Sequence, residues 1–358
     1  MLSIIDRFIL RKFLTTFFFM LGIIMMFSMV FDISDKLSEF ISNKAPISDI
    51  IFDYYLNFIF FYGNLFSSMI IFISVIWFTS KMAQTSEITA LRFSGISIFR
   101  YYKPYFLGAT FLMIISLIFN HFISPNANKK RIEFEEKYYN QELKVKDYNA
   151  DYPNNQSVNF SNYSNFEGKI HNFSLIRWNE KKEVVYFLKA RYAMNLSGTK
   201  NWQLFDYYEK YISFPKGKLK FGSKKDTIFS FGIDEMENRI NIAEMLTSSD
   251  LKKLISQEKL KGSKNVSLYQ IEFHQRTSYP FAAYILTSLG FSVASRKKRG
   301  GMGINIAIGL GFVFIYIFTM KLITVASLNL GFPPILAVWT PNVLFGIIAF
   351  FFFRFSQK

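Results

Sequence analysis

The chain has no cysteine among its 358 residues. That removes disulfide scaffolds and thiolate metal sites. Histidine is nearly as scarce: His121, His171 and His274 stand far apart, so their spacing supports no histidine metal cluster. Acidic side chains are in the minority, 26 against 42 Lys and Arg, for a net charge of +16. No Gly-x-x-x-x-Gly-Lys-Ser/Thr phosphate loop occurs, so the chain brings no Walker-type nucleotide site of its own. The low apolar content of disordered chains is also missing, because 51% of residues are hydrophobic and 44 are Phe. These apolar residues cluster into runs longer than a soluble core needs, which points to a membrane protein with a sizeable polar part.

Six stretches are long and apolar enough to read as helical bilayer crossings, which take roughly 20 residues. They cover about 13–31, 56–78, 104–123, 277–295, 304–324 and 335–353. No small-x-small cleavage site follows Phe31, so the first is read as a span and not as a removable leader. The fourth is short and holds Pro280 and Gly290. Basic residues then set the orientation. One side carries Arg7, Arg11 and Lys12; Lys81, Arg92, Arg100 and Lys103; the 296–299 run; and Arg354 and Lys358. The opposite short loops hold Lys36 and Lys44, with Lys321 late in the fifth span. Both termini are therefore expected in the cytoplasm. The expected layout is three helices over 1–123, an external domain over 124–276, and three helices over 277–358.

Within the external segment, 169–231 is rich in Tyr, Phe, Val and Ile with patches of period two, separated by turn signals such as Ser197-Gly198 and Pro215-Lys216-Gly217. Pro153-Asn154-Asn155 marks a loop before the first of these strands. Short strands at this spacing suggest a β-sandwich or an open jelly roll. Their apolar face serves either as a sandwich core or as a trough for a lipid chain, and the residues alone fit the core better. A helix follows over 251–260, with Ser248 or Ser249 as cap and Gly262 as its end, and a second over 265–275 leads into the fourth span.

The cytoplasmic segment at about 84–95 carries the most information. Thr85 or Ser86 can cap a short helix with Glu87 in its first turn, where the positive helix end favours an acid. Ile88 and Leu91 give it an apolar stripe, Arg92 follows, and Gly95 stops it. Such a helix either presents a knob to a soluble motor or lies on the lipid surface.

At this point the chain resembles a known family. The phrase from Thr85-Ser86-Glu87-Ile88 to Ser94-Gly95 is similar to the coupling segment of the LptF/LptG lipopolysaccharide-export permeases. Ile5-Asp6-Arg7-Phe8-Ile9 resembles their opening, Ile123-Ser124-Pro125 their exit from the third span, and Gly331-Phe332-Pro333-Pro334 the approach to their last. Asp32-Ile33-Ser34-Asp35-Lys36 is most similar to the short Bacteroidetes-type members.

The resemblance implies six transmembrane helices arranged 3+3, with an inserted periplasmic β-jelly-roll domain, in a bacterial inner membrane. It implies a non-enzymatic permease subunit that pairs with a paralogous LptF or LptG chain and sits on an LptB-like cytoplasmic ATPase homodimer. Lipopolysaccharide would pass to LptC/LptA-like bridge proteins. No nucleic acid is involved, and no cofactor is bound here, because ATP belongs to the partner. Glu87, Ile88, Leu91, Arg92 and Gly95 would couple to the ATPase, Ile88 and Leu91 by filling its groove. Lys36, Lys44 and Lys321 would be candidates for the lipid's phosphates, although Asp32 and Asp35 stand where several members carry basic residues. A membrane-bound lipid-modifying enzyme and a mechanotransmission-type transporter subunit are the alternatives. The near absence of intramembrane acids weighs against the enzyme.

Overall fold

The computed structural model describes residues 3–139, 145–152, 155–164, 169–195, 200–212, 217–229, 242–260, 265–295 and 301–355. The 296–299 basic run, Lys358, Gly262, Pro153-Asn154, Ser197-Gly198 and Pro215-Lys216 lie outside the described residues, as does the Arg92 side chain.

Helix α1 runs from Ile4 to Ser42. Ser3 caps it in a capping box: Asp6 N–H donates to Ser3 Oγ at 3.3 Å, and Ser3 N–H donates to Asp6 Oδ2 at 2.9 Å. At ~1.5 Å per residue its 39 residues reach well beyond a ~30 Å hydrocarbon layer. The polar stretch after Phe31 therefore continues as helix. It ends in a Schellman turn: Ala45 N–H donates to Phe40 O at 2.9 Å and Lys44 N–H to Ile41 O at 3.1 Å, with Lys44 at φ 51°.

The second expected span is bent. A π-helical turn at Ile50–Tyr55 leads into α2 (Leu56–Leu65), and α3 (Ser67–Gln84) leaves at 64° to the preceding stretch. Gly63 and the Ser67-Ser68 pair flank the break, which is where glycine and serine weaken a helix. The short α4 (Glu87–Phe93) follows, then α5 (Ile98–Ile118). The expected Pro-containing exit is helical too: a π turn at Phe119–Ile123 joins α5 to α6 (Ser124–Tyr138). The wider turn accommodates the ring of Pro125, which would otherwise meet the carbonyl four residues back.

After the sheet come α7 (Ile242–Met245), α8 (Ser248–Leu260), α9 (Val266–Ala294), α10 (Gly301–Leu330) and α11 (Pro334–Phe355). The cap of α8 is Thr247, one residue before the expected pair: its Oγ1 accepts from Asp250 N–H at 3.4 Å. Among the described residues, four helices are long and apolar enough to cross a membrane: α1, the α5–α6 rod, α10 and α11. The bent α2–α3 pair makes a fifth when taken as one span. The sixth expected span is not confirmed by this measure, because α9 falls short of it. The reason is packing. Helix α9 contacts α3, α5, α10 and α11, so its Ser278, Thr287 and Ser292 are buried in protein and not in lipid.

Among its described residues the polar insert holds six antiparallel strands: β1 (Val145–Tyr152), β2 (Gln156–Ser164), β3 (Lys169–Trp178), β4 (Val184–Asn195), β5 (Asn201–Tyr211) and β6 (Lys218–Ile228). They pair in sequence order in one sheet. A jelly roll needs crossover connections between two sheets, so for the described residues that topology is corrected to a meander.

One polar row crosses every strand. The ladder skips Asp147, Ser161, Asn172, Arg191, Asp206 and Ser223 while the register stays the same on both sides. Asn172 and Asp206 take positive φ there. The inward face changes parity at the row: Ile170 before it and Phe173 and Leu175 after it are all buried, as are Leu188 and Ala190 with Ala193. A flat strand would send these to opposite faces. The creased sheet instead gathers them, with Phe160 and Trp202, into one core.

Glu209 is the acid of this core. Lys225 Nζ donates to its Oε2 at 2.6 Å and Tyr186 Oη at 3.0 Å, joining three strands. Burial alone would raise the carboxyl; the hydrogen bonds from Lys225 and Tyr186 outweigh it and hold it below the usual range. Glu209→Ala should destabilise the sheet by about 2–3 kcal/mol, since Lys225 is left half-buried without its acid. Hydrogen exchange over 184–228 should rise while that over α9 stays unchanged; equal protection would refute this.

Candidate functional site

The segment around residues 84–95 is built from α3, α4 and the start of α5. Ser86 enters α4 with φ 63° and Gly95 leaves it with φ 79°, a conformation for which glycine carries no Cβ penalty. Thr85 Oγ1 donates to Glu87 Oε1 at 2.8 Å. Lys12 of α1 reaches Glu87 Oε2 at 3.4 Å, so α4 is tied to α1. Both partners are partly exposed, so the pair is weak by itself and can be exchanged for another.

The apolar stripe of α4 points inward. Ile88 is only 3% exposed, and with Leu91 it packs beside Ile96, Ile98, Tyr101 and Phe291. Ile88 is covered by the chain's own α5 and α9, which weighs against its filling a motor's groove, while Leu91 stays half-buried. The outward apolar group is Phe93, 89% exposed, with Phe99 nearby at 67%. Sequence reasoning passed over Phe93. Its signal was there, a large aromatic in a polar loop, but a chain with 44 Phe hides one more.

The outer end of α1 carries a second cluster. Lys36 pairs with Asp32 at 3.0 Å and Glu135 at 2.8 Å, and bonds to Tyr54 Oη. Its ammonium also lies over the rings of Tyr54 and Tyr139. Glu135 accepts in addition from Arg131 at 2.9 Å and Tyr54 Oη at 3.1 Å. Arg131 in turn donates to Asn128 Oδ1 at 2.8 Å. Lys36 is thus half-buried and paired with two carboxylates, an arrangement that weighs against its reading as a lipid-phosphate contact. Lys44 and Lys321 are both exposed. The structure brings none of the three lysines together by a contact. The charge of Lys321 acts on Glu244, whose carboxyl burial and neighbouring Glu272 push above the usual range despite Arg131 and Lys321.

Arg276 fastens the helices after the sheet to the membrane helices. Only 4% exposed, it donates to Ala243 O at 2.7 Å, Ser248 Oγ at 3.2 Å and Glu272 Oε1 at 3.2 Å. Its own carbonyl accepts from Asn120 in the π turn at 3.2 Å. Among the described residues, no group of three or more His, Asp or Glu could hold a metal.

No curated protein matches the chain. A family model does, across residues 7–354, that is, both helical halves and the sheet between them. The chain belongs to the family described as lipopolysaccharide export system permease LptF/LptG.

Proposed function

We infer that this chain is the permease subunit of an ABC-type exporter that extracts lipopolysaccharide from the bacterial inner membrane. A cytoplasmic ATPase homodimer binds the ATP; a paralogous LptF- or LptG-like chain completes the membrane unit. The sheet lies on the periplasmic side and hands the lipid to LptC/LptA-like bridge proteins, and both termini are cytoplasmic. The observation that carries this reading is α4: a short helix between two membrane helices, with an acid in its first turn and an exposed aromatic at its end. The clustering of basic residues on the same side supports the orientation. The Lys12–Glu87 pair supplies a route from a docked motor to α1, since any cation on the motor competes with Lys12 for Glu87.

Affinity purification of the full chain in mild detergent, read by mass spectrometry, tests this. An ATPase and a second permease chain should co-purify in stoichiometric amounts. A chain that purifies alone and converts a lipid by itself would overturn the reading in favour of an enzyme.

A further inference from the structure

Helix α9 packs against both α5 and α11. Between those two flanking helices lies a groove of about 220 Å³. Tyr284 and Ser288 of α9 form its floor, Tyr102 of α5 one wall, and Gly346, Ala349 and Phe350 of α11 the other. The rings of Tyr102 and Phe353 stand 4.9 Å apart at one end of it. Even a water takes roughly 30 Å³, so this volume holds a stretch of acyl chain several methylenes long.

The groove's hydroxyls are already used. Tyr102 Oη meets Ser288 Oγ at 2.5 Å, and Tyr284 Oη donates to Thr110 Oγ1 at 3.0 Å. The surface left to an occupant is apolar. Beyond that ring pair both helices turn basic: Lys103 follows Tyr102 in α5, and Arg354 follows Phe353 in α11. Both are exposed, and among the described residues neither has an ion-pair partner. Arg100, one turn earlier, is committed to Asp6 at 2.8 Å.

We propose that this groove binds one anionic phospholipid of the cytoplasmic leaflet, with an acyl chain over Ser288 and Gly346 and the phosphate between Lys103 and Arg354. The leaflet rests on the orientation proposed above; the apolar groove and its basic mouth do not. Two guanidinium or ammonium groups at the headgroup level select for negative charge, while the apolar groove accepts any chain. The bound lipid would seal α5 to α11 over α9, away from the Lys12–Glu87 side of α1.

Native mass spectrometry of the full chain in detergent tests the site, with phosphatidylglycerol titrated against phosphatidylcholine. Wild type should retain one phosphatidylglycerol and prefer it over phosphatidylcholine by about tenfold or more, since each basic residue contributes about fivefold. Gly346→Phe should abolish that retention; an added side chain at Gly346 meets no neighbour within 4 Å and would fill the groove. Gly311→Phe, also in open space but on α10, should leave it unchanged. Lys103→Gln with Arg354→Gln should erase the headgroup preference and keep the fold. Equal retention of the two lipids by wild type overturns the proposal, as does equal retention by the Gly346→Phe and Gly311→Phe proteins. These readouts need no ATPase, so failure here and failure of the pull-down are separate results.

Discussion

Replacing Phe93 with serine should strip the ATPase from the purified complex without moving the thermal midpoint of the chain. Phe93 is 89% exposed, so its removal leaves the chain's own core intact. An aromatic anchor at an interface is worth about 2 kcal/mol or more, or roughly 30-fold in affinity. Ile88→Ala should do the opposite. Ile88 sits at 3% exposure in the membrane-helix core, and truncation there costs about 2–5 kcal/mol. The Ile88→Ala chain should melt earlier, and its ATPase should be lost only as the fold is lost. Co-purification measured beside a detergent melt separates the two. If Phe93→Ser keeps a full complement of ATPase, the docking role assigned to α4 is wrong.

Glu135→Ala should have the largest effect on stability. One carboxylate serves Lys36, Arg131 and Tyr54 at 2.8, 2.9 and 3.1 Å. The three charged side chains are between 9% and 14% exposed, so water cannot replace the missing partner. Breaking a buried pair from one side costs about 3–5 kcal/mol. The outer ends of α1 and α6, and the π turn carrying Tyr54, would then separate. Proteolysis between 32 and 55 should accelerate, and the melt should broaden or fall. Glu135→Gln should lose less than Glu135→Ala, because its amide oxygen can still accept from Lys36, Arg131 and Tyr54. A Glu135→Ala chain with an unchanged melt and unchanged cleavage would show that the cluster is screened by solvent after all.

The legible parts of this protein were those that depend on near neighbours in sequence. An apolar run long enough to cross lipid is a local property, and α1, α5, α10 and α11 all stand where the runs lie. The short helix after Thr85 and its stop at Gly95 were legible for the same reason: capping and positive φ act within a few residues. Strands β3 to β6 fall in the stretch rich in Tyr, Phe, Val and Ile, whereas β1 and β2 were passed over. The many Asn and Ser of 145–164 hide the alternation of Val158 and Phe160, both of which are buried.

The crease explains why period two was only patchy. Parity changes at Ser161, Asn172, Arg191 and Asp206, and no local rule marks those positions. The sequence by itself determined the apolar spans, the polar insert and the short acid-capped helix, because burial in lipid and local hydrogen bonding are decided residue by residue. Only the tertiary structure decided that α9 is a central helix, that Ile88 turns inward and Phe93 outward, and that Lys36 is paired with two carboxylates. Each of those depends on a partner far along the chain, Glu135 being 99 residues from Lys36, and folding alone brings such partners within reach.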